Sequence, residues 1–207
     1  MILEEKLSFI RIPKNASTSI YEHVKNFNLI TDSSMKSMFS SEKFMSFFAP
    51  SHCFLSEAVS VLGVDILKYP VFCVIRNPYD RMVSQFCFAQ KMQKNLPNKF
   101  KESIDNFKIF VNFCYKNKDN SNNLPSIGQS EYLDIDCEIN KLRFENLQKD
   151  FENFIFINRI SGINTKIPHL NQTQRKNHKY YYDKDTQEKV YKLWEQDFKK
   201  FNYDKEL

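Results

Sequence analysis

Two stretches of this chain hold residues whose types and spacing suit a phosphorylated ligand. Phe9-Ile10-Arg11-Ile12-Pro13-Lys14-Asn15-Ala16-Ser17-Thr18-Ser19-Ile20 passes from an apolar run through a proline into small and hydroxyl-bearing residues. Pro13 ends the strand. Backbone N–H groups from Asn15 to Ser19, with the hydroxyls of Thr18 and Ser19, can then converge on an anion at the positive end of the following helix. Lys14 adds a mobile point charge to that nest. Further along, the β-branched run Val71-Phe72-Cys73-Val74-Ile75 ends in Arg76-Asn77-Pro78. Asn77 suits a helix cap, Pro78 suits its first turn, and Ser84 falls about two turns beyond the strand end that carries Arg76. A guanidinium fork and a hydroxyl donor both suit phosphate. Of the four histidines, His52 is the choice for a base, since a neutral imidazole can accept a proton at pH 7.

The first loop contains none of the glycines that G-x-x-x-x-G-K-[ST] needs, so a ligand other than ATP is expected. It resembles the loop of the sulfotransferase superfamily that holds the 5'-phosphosulfate of 3'-phosphoadenosine 5'-phosphosulfate (PAPS). The resemblance extends to Arg76 and Ser84, whose counterparts, also eight positions apart, hold the 3'-phosphate. Ser51-His52-Cys53-Phe54-Leu55 is similar in order and spacing to the segment that carries a histidine in carbohydrate sulfotransferases of the heparan 2-O type. Residues 167–176 look like the family's late loop over the adenine and 3'-phosphate, which implies phosphate contacts for Arg175 and Lys176; a solvated basic face is the plainer alternative. His169 lies in the same loop. Gln129-Ser130-Glu131-Tyr132-Leu133 resembles a loop bordering the acceptor site, which makes Glu131 a second base or an acceptor-orienting group.

The resemblance implies sulfuryl transfer from PAPS to a hydroxyl of an acceptor, with 3',5'-diphosphoadenosine as spent cofactor and no metal. Lys14 would stabilise charge on the leaving oxygen, and His52 would take the hydroxyl proton. A carbohydrate acceptor leads; a tyrosine-containing peptide or a small phenol or alcohol follows. Two readings compete: a non-catalytic nucleotide- or glycan-binding module on the same fold, and a P-loop small-molecule kinase, which would want the glycine loop and a carboxylate for Mg²⁺.

The elements that position these groups follow from periodicity. A strand over 6–12, a helix over 18–26, a short helix through Val61 and a strand over 69–75 precede the Arg76 helix. Beyond come an aromatic helix around 107–114, a polar loop over 117–123, a strand over 138–144, a helix over 145–154 and an apolar patch over 154–157. At the C-terminus, Asp185 and Glu188 read as a capping box. Val190, Leu193, Trp194, Asp197, Phe198 and Phe201 then keep helical spacing, with Trp194 as core. Strands separated by helices imply an α/β fold, P-loop-like and three-layered (α/β/α) around a central parallel sheet, with ligands at the carboxyl ends of the strands.

With 207 residues and 42% hydrophobic content, one domain over 1–207 is expected. A net charge of +5 falls short of nucleic-acid wrapping and suits a small polyanion. Five cysteines without C-x-x-C spacing indicate neither a disulfide framework nor a zinc site, and Cys73 reads as a buried thiol. No signal peptide or run of about 18 apolar residues occurs. The expectation is a soluble cytoplasmic protein or a catalytic fragment of an anchored one.

Overall fold

The computed structural model describes residues 2–3, 7–24, 52–92, 101–119, 124–168 and 175–207. Strands β1 (Ile2–Leu3), β2 (Leu7–Ile10), β3 (Val71–Ile75) and β4 (Asn140–Arg143) form one sheet in the order β1-β2-β3-β4. β2 pairs parallel with β3, and β3 with β4, whereas β1 pairs antiparallel with β2. The expected parallel sheet is therefore present with an antiparallel edge. Every residue of β2 and β3 is buried, as strands covered on both faces require. Ser8, Phe9 and Ile10 lie opposite Val71, Phe72 and Cys73, so both strands end at the same edge of the sheet.

The helices are α1 (Ser17–Val24), α2 (Leu55–Leu62), α3 (Pro78–Lys91), α4 (Phe107–Lys116), α5 (Leu147–Ile157), α6 (Lys184–Leu193) and α7 (Glu195–Phe201). Backbone packing groups the chain into two compact units, each made of two segments. The first is Met1–Ile75 with Glu131–Asn171, and the second is Arg76–Ser130 with Gln172–Leu207. Expectations for 6, 25–26, 120–123 and 169–174, His169 among them, lie outside the described residues.

In the first unit, Leu7, Phe9, Phe72, Val74 and Leu142 of the sheet pack with Ile20 of α1 and Phe151, Phe154 and Ile155 of α5. Phe9 and Phe72 stack with centroids 4.6 Å apart. The expected apolar patch over 154–157 is the end of α5. Phe154 and Ile155 face the core, while Phe156 and Ile157 are exposed, because helical spacing cannot turn four consecutive residues inward. Cys73 is buried as expected, and burial pushes its thiol up to about 12.

The second unit packs Tyr79, Met82, Val83 and Phe86 of α3 against Phe107, Phe110 and Val111 of α4 and Val190, Trp194 and Phe198 near the C-terminus. Trp194 is core, as expected, and its Nε1 donates to the Ser126 carbonyl at 2.8 Å. Two C-terminal expectations are corrected. Asp183 is the N-cap of α6: it accepts from the Thr186 N–H at 2.8 Å, and Thr186 Oγ1 accepts from the Asp183 N–H at 2.9 Å. Asp185 instead pairs with Lys189 at 2.8 Å, and Glu188 with Lys192 at 2.6 Å. The helical spacing also hides a break at Trp194, where φ of −125° separates α6 from α7.

Candidate active site

In the first unit, the loop after β2 turns through 13–16 without a glycine. Lys14 (φ 68°) and Ala16 (φ 56°) both occupy the left-handed region, on either side of Asn15. Each costs about 1 kcal/mol or more for an L-residue, so the surroundings must hold them there. Asn15 does part of this: its buried side chain donates from Nδ2 to the Val74 carbonyl at 2.6 Å and fastens the loop to β3. Alternating backbone handedness at the head of a helix turns successive N–H groups toward one point, which suits an anion. Around that point, Ser17 and Ser19 are buried, Lys14 is half-buried and Thr18 is exposed.

His52 is half-buried, and its Nδ1 lies 2.6 Å from the carbonyl of Arg11, two residues before the loop. A carbonyl only accepts, so Nδ1 carries the proton and Nε2 is the basic nitrogen of the ring. The segment after His52 is firmly mounted. Phe54 stacks on Tyr132 with centroids 5.2 Å apart, and Glu57 Oε2 accepts from the Phe54 N–H at 2.8 Å. The Ser56 N–H donates to Asp134 Oδ1 at 2.8 Å, and the Ser56 hydroxyl to its other oxygen. Burial pushes the Glu57 carboxyl up and nearby Asp134 adds to this, against the Phe54 N–H. Glu131 is exposed in the turn Ser130–Tyr132.

In the second unit, Arg76 and Arg175 gather around the carboxylate of Asp80. Asp80 Oδ2 accepts from Arg76 Nε at 2.7 Å, and Asp80 Oδ1 pairs with the Arg175 guanidinium at 2.5 Å. His178 Nδ1 lies 3.4 Å from the same Oδ1. Burial pushes the Asp80 carboxyl up, but the His178 hydrogen bond and both guanidiniums overcome this and hold it well below the usual carboxylate range. Asn77 caps α3 as expected, accepting from the N–H groups of Tyr79 and Asp80, with Pro78 in the first turn. Asp80 and the buried Ser84 stand one turn apart on that helix. Lys176 is exposed.

The Arg76–Asp80 spacing was a readable i, i+4 signal, whereas Arg175 and His178, about a hundred positions away, carried none. His178 also belongs to this cluster. His23 of α1 lies apart from this cluster, its ring edge-on to Phe151 and its Nε2 at the Asn164 carbonyl.

Guanidiniums and backbone N–H groups are donors of a kind that fit an anionic cofactor. Among the described residues, no cluster of His, Cys, Asp and Glu fit for a metal ion occurs, and no helix is long and apolar enough to cross a membrane. The model of the sulfotransferase family matches residues 3–204. The chain belongs to the sulfotransferase family. No curated protein and no solved structure matches it significantly. As a sulfotransferase, it acts on a hydroxyl-bearing acceptor, and both the left-handed loop and the Asp80 cluster fall inside the matched span.

Proposed function

We propose that this sulfotransferase moves a sulfuryl group from PAPS to a carbohydrate hydroxyl, with His52 as general base, in the manner of the heparan 2-O-like branch. The hydrogen bond from His52 to the Arg11 carbonyl carries the reading, because it leaves the basic Nε2 on a ring anchored beside the strand that feeds the Lys14 loop. Residues 1–207 act in this reading as one P-loop-like, three-layer domain.

PAPS, when bound, supplies the sulfuryl group and a phosphate leaving group. The backbone N–H groups from Asn15 to Ser19 and the Thr18 and Ser19 hydroxyls hold the 5'-phosphate. Lys14 offsets charge on the bridging oxygen as its bond to sulfur breaks. His52 Nε2 takes the proton of the acceptor hydroxyl as that oxygen bonds to sulfur. Arg76, Ser84 and Arg175 hold the 3'-phosphate, with Lys176 adding charge and Glu131 orienting the acceptor.

Calorimetry of 3',5'-diphosphoadenosine against ADP at equal ionic strength tests the cofactor. A clear preference for the former is expected; equal binding or a preference for ADP overturns the assignment. An acceptor screen with PAPS then separates glycans from tyrosine peptides and small phenols.

A further inference from the structure

Arg76 stands one residue past the last β3–β4 pair, Ile75 with Arg143. Its own N–H and C=O must therefore find partners outside the ladder. The side chain of Gln129 takes both places. Gln129 Oε1 accepts from the Arg76 N–H at 2.8 Å, and Gln129 Nε2 donates to the Arg76 carbonyl at 2.9 Å. One primary amide thus imitates a neighbouring strand at a single residue.

The amide is rigidly mounted. Gln129 is wholly buried, and its own N–H donates to Asp197 Oδ2 at 2.6 Å while the Ser130 N–H donates to Asp197 Oδ1 at 2.7 Å. Just upstream, the Ile127 carbonyl accepts from Arg81 at 3.0 Å, and Ser126 donates to the Cys114 carbonyl at 2.8 Å. These bonds along 126–130 end on buried groups of the same unit, so Gln129 has little room to shift relative to Arg76.

We infer that Gln129 is a positioning residue for anion recognition: it fixes the Arg76 backbone so that the guanidinium projects into the cluster shared with Asp80 and Arg175. This rests on the reading of Arg76 as a 3'-phosphate ligand. The two-point contact needs a donor and an acceptor on one planar group. Glutamate would set an oxygen against the Arg76 carbonyl, and methionine would fill the space without bonding.

The test is the ratio of the Kd for 5'-AMP to the Kd for 3',5'-diphosphoadenosine, with thermal melting as a check on folding. In Gln129→Met the ratio is expected to fall about tenfold, with 5'-AMP binding within about twofold of wild type. The same substitution in an Arg76→Ala background is expected to change the ratio no further, as coupling through one residue requires. An unchanged ratio in folded Gln129→Met overturns the inference. Gln129→Glu, which keeps one of the two bonds, serves if the methionine variant does not fold, with the same two outcomes. In the wild-type protein, the side-chain amide NMR signals of Gln129 are expected to move with 3',5'-diphosphoadenosine and not with 5'-AMP; an equal response to both overturns it as well. A wild-type ratio near one removes the 3'-phosphate reading itself, a result distinct from a large ratio that Gln129 does not alter.

Discussion

In the proposed reading, the loop at 13–16 and the Asp80 cluster prepare for an anion by opposite means. The loop uses main chain, forced into the left-handed region at Lys14 and Ala16 and anchored by the bond from Asn15 to the Val74 carbonyl. The cluster uses charged side chains, and keeps them in place with a carboxylate that must share them with any ligand. A backbone nest holds its shape at any ionic strength, whereas paired charges respond to salt, to pH and to the loss of any one member. The difference lies in where the ordering cost falls: in backbone strain at the loop, and in internal charge neutralisation at the cluster.

The widest gap between the two regions is expected in turnover. His52→Ala should lower the rate of sulfuryl transfer about a thousandfold while leaving 3',5'-diphosphoadenosine binding within about twofold, measured by labelled-sulfate transfer and calorimetry. A rate within about tenfold of wild type would move the base elsewhere. Arg76→Ala should reduce the preference for 3',5'-diphosphoadenosine over 5'-AMP about thirtyfold, the loss of a charge-assisted contact to phosphate.

Stability separates the regions next. The Asp80 carboxyl sits below its ordinary value of 3.8 in the folded protein, so its contribution is present above about pH 4 and is lost as pH falls through the lower folded value. Asp80→Asn should cost about 2 kcal/mol at pH 7 and flatten the loss of stability between pH 4 and pH 2 in urea titrations. A parallel acid limb in the variant would mean that the carboxylate is not what titrates. The smallest effect belongs to the loop. Ala16→Gly should raise stability by no more than about 1 kcal/mol, since relief of the left-handed strain is partly offset by chain entropy, while Ala16→Val should lower it by about 1–2 kcal/mol.

Local features of both regions were legible because they depend on neighbours in sequence. The strand before Pro13, the apolar run before Arg76 and the Asn77–Pro78 helix start all appear where their residue types demand. The α6 cap was misread because Asp183 and Asp185 both precede a helical run; the deciding partner was Thr186, a residue that serves at the third position less often than glutamate. The break at Trp194 left no mark, since apolar spacing continues through it. Arg175 and His178 meet Asp80 across about a hundred residues, and Gln129 reaches Arg76 across 53. Such pairings are chosen by packing of distant segments, so no local pattern announces them.

The order of the chain through β3 and β4 has a consequence for biosynthesis. Phe72 pairs with Asn140, and the whole first segment of the second unit, Arg76–Ser130, is translated between those two strands. The emerging polypeptide must carry that segment unfinished while the sheet waits for β4, a long-range closure of the kind that slows folding. The second unit waits longer still, because Arg175, His178 and Asp197 all belong to its last-made stretch. A ribosome that stalls or stops early would thus release a chain with Lys14 and His52 already made but no partner for Asp80 beyond Arg76. Synthesis as far as His178 becomes a condition for assembling the charged cluster.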